Sequence, residues 1–244
     1  MLLCHEVAAQ QTAIGTVIWL HGLGASGDDF SPIIPHMQLP DVRFILPHAP
    51  LRAITIDGGY RMPAWYDIRT LEDSPRRESH ADIVDSANLI SELIEREIER
   101  GIPSERIMLC GFSQGGAMAL YLAHRYPKRL LGAVIMSGYI VHEDTFEHQA
   151  SPTNATLPML FCHGERDLVV SVEKGFHAYH QCQENHEYIQ WKEFPVGHEI
   201  CLEELRYIRS WMHQRFAAVR QQLAQHNGPI IGNAANTVIA ESDE

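Results

Sequence analysis

Basic residues are scarce in this chain. Nineteen Lys and Arg stand against 31 Asp and Glu, for a formal net charge of −12. That balance repels a phosphate backbone and gains nothing at an anionic membrane surface, so nucleic acid is excluded as a partner. No apolar run reaches the roughly 18 residues of a transmembrane helix, so no stable membrane insertion is expected. Residues 1–11 have no basic region leading into a long apolar stretch, and no signal peptide is expected. The five cysteines, Cys4, Cys110, Cys162, Cys182 and Cys201, are odd in number and scattered, which fits no disulfide framework. A reducing, cytoplasmic setting is expected.

Ligand-binding signatures are missing too. The glycine-rich stretch His21–Phe30 has neither the Gly-x-Gly-x-x-Gly spacing nor a Walker lysine, which removes a phosphate-cradling reading. His177 and His180 fall on one side of an expected helix, with His186 nearby. No Cys-x-x-Cys or His-Glu-x-x-His spacing joins them, so solvated histidines rather than a metal site are expected. No internal repeat or linker divides residues 1–217, which read as a single domain. Residues 218–244 contain Asn227-Gly228-Pro229 and end Glu-Ser-Asp-Glu, the composition of a partly disordered C-terminal tail.

What is present is alternation. Short apolar runs at Ile14–Leu20, Val42–Leu46, Arg106–Cys110, Leu130–Ser137, Leu157–Cys162 and Glu187–Phe194 read as buried strands. The first two enclose the glycine-rich stretch, which opens a helix. Pro47-His48-Ala49-Pro50 ends the second strand, and residues 51–78 read as one long irregular segment with the aromatic group Trp65-Tyr66-Asp67. Helices are expected over Ser79–Arg100, Gln114–Tyr126, Val172–Cys182 and Ile200–Phe216. In the first, Ile83, Ala87, Ile90, Ile94 and Ile98 recur at spacings of three and four. Ser79 with Asp82 resembles a capping box, and Gly101 and Pro103 close the helix. Strands alternating with helices predict an α/β fold: a mostly parallel central sheet with helices on both faces. Its sites belong at the carboxyl ends of the strands.

One such end carries Gly111-Phe112-Ser113-Gln114-Gly115-Gly116. Gly-x-Ser-x-Gly occurs by chance in roughly one chain in twelve of this length, given ordinary glycine and serine usage. Between a strand and a helix it describes a sharp turn that lifts a serine hydroxyl above the sheet. Serine is a weak nucleophile without a base, and an imidazole base needs an acid to orient it. Asp167 and His198 each follow a predicted strand, so Ser113, Asp167 and His198 share one rim in the chain order of α/β-hydrolase triads. The backbone N–H groups of Leu23 and Gln114 are the candidate oxyanion donors. His21 and His163, each before a glycine at a strand end, are expected to shape the site without transferring protons.

These residues resemble the acyl-protein thioesterase and carboxylesterase family of α/β-hydrolases. His21-Gly22-Leu23-Gly24, Pro47-His48-Ala49-Pro50, Met62-Pro63-Ala64-Trp65-Tyr66-Asp67, the Phe112-Ser113-Gln114-Gly115-Gly116 elbow, His163-Gly164 with Asp167, and Gly197-His198 carry the resemblance over about residues 14–217. The stretch Ala53–Tyr60 is closer to the bacterial carboxylesterase branch. The resemblance implies a cytoplasmic serine hydrolase of carboxylic esters or thioesters, without cofactor, acting on a small acyl ester or thioester or on an acylated protein. It implies the triad and oxyanion donors already named, and a substrate wall at Trp65, Ile68 and Leu71 beside an acyl groove. The loop from Ile68 to Arg77 is otherwise polar and charged, unlike a groove for a long lipid chain. Acyl-protein thioesterase (depalmitoylase) and lysophospholipase activities are the alternatives within the enzyme class. A hydrolase-fold binding protein without turnover is the alternative outside it. Monomer and homodimer are both compatible with the sequence.

Overall fold

In the second strand Val17 and Trp19 face one side, Ile18 and Leu20 the other, and all four are fully buried. A strand with two buried faces needs cover on both, and the rest of the chain supplies it. The structure is a computed structural model that describes residues 1–72, 74, 77–183 and 188–226. In chain order the strands are β1 (Cys4–Val7), β2 (Gly15–Leu20), β3 (Val42–Pro47), β4 (Leu51–Ile54), β5 (Tyr60–Pro63), β6 (Ile107–Phe112), β7 (Gly132–Met136), β8 (Met159–Gly164) and β9 (Ile189–Phe194). The α-helices are α1 (His80–Glu99), α2 (Gln114–Arg125), α3 (Val172–Gln183) and α4 (Leu202–His226).

Seven strands form one sheet in the order β1-β3-β2-β6-β7-β8-β9. All its pairings are parallel except that of the edge strand β1 with β3. One face packs on α1, α2 and α3 through residues such as Ile90, Met118 and Ala178. The other packs on α4 and a run of 3₁₀ turns over Gly27–Met37, through Phe30, Ile34, Trp211 and Phe216. The expected α/β architecture, a mostly parallel sheet covered on both sides, is the one observed.

Four local expectations are corrected. Residues 51–78 are not wholly irregular: β4 and β5 pair antiparallel, Leu51 opposite Pro63, and reverse through Gly58 and Gly59 at φ 64° and 84°. The edge strand β1 carries the polar residues His5 and Glu6 and lacked an apolar signal. The Ser79–Asp82 capping box does not form. Asp82 instead accepts from Arg52 Nη1 (2.7 Å) and the Asp67 N–H (3.1 Å), and the Ser79 hydroxyl accepts from Arg69. Finally, α4 runs on past Phe216 to His226, so residues 218–226 are helix rather than tail. Val219 is buried there, and Arg220 makes a two-pronged contact with Asp41 (2.6 and 2.7 Å). The remainder of the expected tail, 227–244, lies outside the described residues.

Candidate active site

β6 ends at Phe112, α2 begins at Gln114, and Ser113 alone makes the turn between them, at φ 55° and ψ −119°. A non-glycine residue in that region costs about 1–3 kcal/mol, which the surroundings must offset. Two bonds pin it: the Ser113 N–H donates to the Met136 carbonyl (2.8 Å), and the Ala117 N–H donates to the Ser113 carbonyl (3.0 Å). The flanking glycines are required by close approach. A Cβ on Gly111 would lie 2.2 Å from the Gly115 oxygen, and one on Gly115 would lie 2.3 Å from the Leu20 oxygen. The elbow is thus wedged between β2, β7 and its own helix.

His198 follows β9 and Asp167 follows β8. His198 Nε2 lies 2.8 Å from Ser113 Oγ, and His198 Nδ1 lies 2.7 Å from Asp167 Oδ2. The Phe112 ring packs 4.8 Å, centroid to centroid, from the imidazole. The other carboxylate oxygen of Asp167 accepts from the N–H groups of Val169 (2.9 Å) and Val170 (2.8 Å). Burial alone would raise the Asp167 carboxyl. The bonds from His198, Val170 and Val169 outweigh it and hold the group below the usual carboxylate range. Asp167 therefore stays ionised opposite Nδ1, which places the ring hydrogen on Nδ1 and a lone pair on the nitrogen facing the serine. His163 is buried, with Nε2 2.8 Å from the Val170 carbonyl, so it braces the turn that holds Asp167. The buried thiols of Cys110 and Cys162, pushed well above the usual range by desolvation, are no rival nucleophiles.

The His21–Leu23 loop runs directly beside the serine: a Cβ on Gly22 would lie 3.4 Å from Ser113 Cβ. Gln114, as the first residue of α2, has an N–H with no preceding helical turn to donate to. Sequence reasoning missed what its side chain does. Gln114 Oε1 accepts from the Trp65 N–H (2.7 Å), and Nε2 donates to the Tyr66 carbonyl (2.7 Å). Trp65 Nε1 in turn donates to the His21 carbonyl (2.8 Å). No spacing signal could have exposed these bonds, because their partners lie 44 to 49 residues apart.

The three residues expected along the substrate wall are not brought together. Trp65 is fully buried, its indole N–H already engaged. Ile68 packs against the core and bridges to Glu78, whereas Leu71 is 75% exposed. A cavity of about 560 Å³ opens beside Tyr139 and the start of α3, with Arg77, Glu78, Glu143, Glu173 and Lys174 also among its walls, and none of the three expected residues lines it. Asp73, Pro75 and Arg76 of the expected groove loop, and His186, lie outside the described residues. Among the described residues no three His, Cys, Asp or Glu side chains converge as a metal would require, and no helix is long and apolar enough to cross a membrane.

The sequence profile of the phospholipase/carboxylesterase family matches residues 4–215. Acyl-protein thioesterase 1 of Neurospora crassa is 36% identical over 228 residues, 89% of this chain and 92% of the relative. Carboxylesterase SOBER1 of Arabidopsis thaliana is 32% identical over 218 residues, covering 86% and 95%. Among solved structures, acyl-protein thioesterase 2 of Zea mays superposes with a TM-score of 0.78 at 29% identity, over 88% of this chain and 99% of that one.

Proposed function

This chain belongs to the phospholipase/carboxylesterase family, and on that premise we propose that it hydrolyses carboxylic esters or thioesters through an acyl-enzyme on Ser113. Ser113 Oγ attacks the acyl carbon while His198 Nε2 takes its proton. The carbonyl oxygen becomes negative and is held by the N–H groups of Leu23 and Gln114. His198 returns the proton to the departing alcohol or thiol, and the tetrahedral centre collapses to the acyl-enzyme. Water repeats the sequence, releasing a carboxylic acid and free Ser113. Throughout, ionised Asp167 holds the imidazole and offsets its transient positive charge.

The observation that carries this reading is the unbroken series of short contacts, 2.8 Å and 2.7 Å, linking a strained serine through His198 to a carboxylate that has its own backbone donors. A fluorophosphonate probe tests it. The probe is expected to label Ser113, and Ser113→Ala to lose both labelling and turnover of p-nitrophenyl acetate. An alanine variant as active as the parent would sink the reading.

The relatives' names leave acylated proteins and simple esters both in view as substrates. The charged walls of the cavity support a short or polar acyl group over a long lipid chain, and turnover across esters and thioesters of graded length tests that preference. All five thiols are unpaired, which supports a reducing, cytoplasmic setting.

A further inference from the structure

His21 is fully buried at the end of β2, and both of its ring nitrogens are engaged away from Ser113. Nε2 lies 3.0 Å from the Ala49 N–H, and Nδ1 lies 2.7 Å from the carbonyl of Gly22. A backbone N–H can only donate. Nε2 is therefore the lone-pair nitrogen, and Nδ1 carries the hydrogen that it donates to the Gly22 oxygen. That oxygen belongs to the same peptide unit as the Leu23 N–H. Among the described residues no peptide bond is cis, so the two groups point in opposite directions across a rigid plane. Holding the oxygen fixes where the N–H aims.

The plane needs holding. Glycine places little restriction on rotation, so the Gly22 peptide has no side-chain barrier of its own against turning. The preceding carbonyl, that of His21, is held by Trp65 Nε1 at 2.8 Å. Trp65 is itself held by the Gln114 side chain at 2.7 Å. The Gly22 carbonyl and the Gln114 side chain are thus tied into one buried network. A donor on the Gly22 carbonyl also polarises that peptide and strengthens its N–H toward an acceptor.

We propose that His21 is a positioning residue of the oxyanion site: its Nδ1–H sets the plane of the Gly22–Leu23 peptide and aims the Leu23 N–H at the oxygen that becomes negative during acyl transfer. This rests on the reading of Leu23 as an oxyanion donor. The imidazole itself transfers no proton. Burial lowers its pKa, so the Nδ1–H clamp stays neutral at working pH.

Two amide variants separate aiming from mere packing. Asn places its NH₂ where Nδ1 sits, whereas Gln reaches the Nε2 position and leaves the Gly22 oxygen without its donor. The measurements are kcat and KM on p-nitrophenyl acetate, and the Ki of a trifluoromethyl ketone whose serine adduct carries an oxyanion. His21→Gln is expected to lose on the order of 10² in kcat, to raise the ketone Ki by a similar factor, and to leave KM within about threefold. His21→Asn is expected to stay within about fivefold of the parent in all three. Equal behaviour of the two variants, or a loss of kcat with unchanged ketone Ki, would overturn the proposal. If neither folds, Trp65→Phe replaces them, with a roughly tenfold loss in both kcat and ketone affinity expected at constant KM. Parent-like values there would overturn it equally. Ser113→Ala, run alongside, keeps the readings apart. Turnover surviving in that variant refutes the acyl-enzyme itself, whereas its loss with an unaffected His21→Gln refutes only the aiming role.

Discussion

Two regions on the same rim of the sheet are built in opposite ways. Around Ser113, polar groups are buried and paired: His21, Gln114, His163 and Asp167 are each at most 5% exposed, and each has hydrogen-bond partners at 3.0 Å or less. In the cavity beyond Tyr139, Arg77 and Glu78 are largely covered, but the outer charges lie in water. Glu143 is 64% exposed on its side chain, and it meets a half-exposed His177. The first region is costly to assemble and difficult to alter, because a buried polar group that loses its partner incurs its full desolvation penalty. The second can change residues at little cost in stability, since exposed ion pairs contribute about 0–1 kcal/mol. The proposed reaction chemistry falls in the region that cannot relax, and the proposed acyl preference draws on the region that can.

The comparison is sharpest at the serine. Ser113→Ala is expected to lower kcat on p-nitrophenyl acetate by roughly 10⁴–10⁶, while a thermal melt remains near that of the parent. One step back, Asp167→Asn keeps the shape of the carboxyl but lets the imidazole take the wrong tautomer. A fall of about 10³–10⁴ in kcat with KM little changed is expected from steady-state kinetics. A loss below about tenfold would break the comparison, because it would mean that the packed region tolerates a mispaired group.

Much of the packed region could be read from the chain, for identifiable reasons. Gly111 and Gly115 must lack side chains, and that necessity is written in one-letter code. Asp167 and His198 follow apolar strands, whose runs announce themselves. Side-chain bonds to distant backbone did not show. His21 before Gly22 looks like any loop histidine until Ala49 is known to sit above it. Nor does an amide such as Gln114 reveal which of its neighbours it will satisfy. The hairpin β4–β5 was hidden because Leu51 and Tyr60 are exposed, so its pattern is not that of a half-buried strand. The Ser79–Asp82 cap failed because Arg52, distant in sequence, competes for the carboxylate with charge as well as a hydrogen bond. The length of α4 was underread because Arg220 is held by Asp41, far away in the chain.

Away from the serine, the packing under α4 also buries a poorly satisfied carboxyl. Glu204, in the first turn of α4, is 2% exposed, and its Oε2 has no partner. Burial pushes its carboxyl up to about 8. Between its ordinary value near 4.5 and that figure, the folded protein keeps a proton that the unfolded chain releases. Stability should therefore fall as pH rises through that window. Glu204→Gln, neutral at every pH, is expected to melt close to the parent at pH 5 and several degrees above it at pH 8, a gain of up to a few kcal/mol. Melting curves that stay parallel from pH 5 to pH 8 would show that the carboxylate finds a partner in the fold.

The smallest effect should come from the cavity. Its walls carry four carboxylates, Glu78, Glu143, Asp144 and Glu173, against the cations Arg77 and Lys174. An anionic acyl group should therefore bind less well than a neutral one of equal size. Glu143 makes the test, because it is exposed and its contact with His177 lies at the surface. At 4 Å in water one unit charge acts on another with about 1 kcal/mol, and screening at physiological salt reduces this further. Glu143→Gln should accordingly lower KM for a succinyl hemiester by only about two- to threefold at low salt, and the difference should vanish at high salt. Turnover of p-nitrophenyl acetate should stay within about twofold of the parent, because a neutral acetyl group offers no charge for Glu143 to act on. A salt-independent change in kcat on the acetate would place Glu143 in the same rigid network as His21 and Gln114. The division between a fixed chemical rim and an adjustable cavity would then have to be redrawn around it.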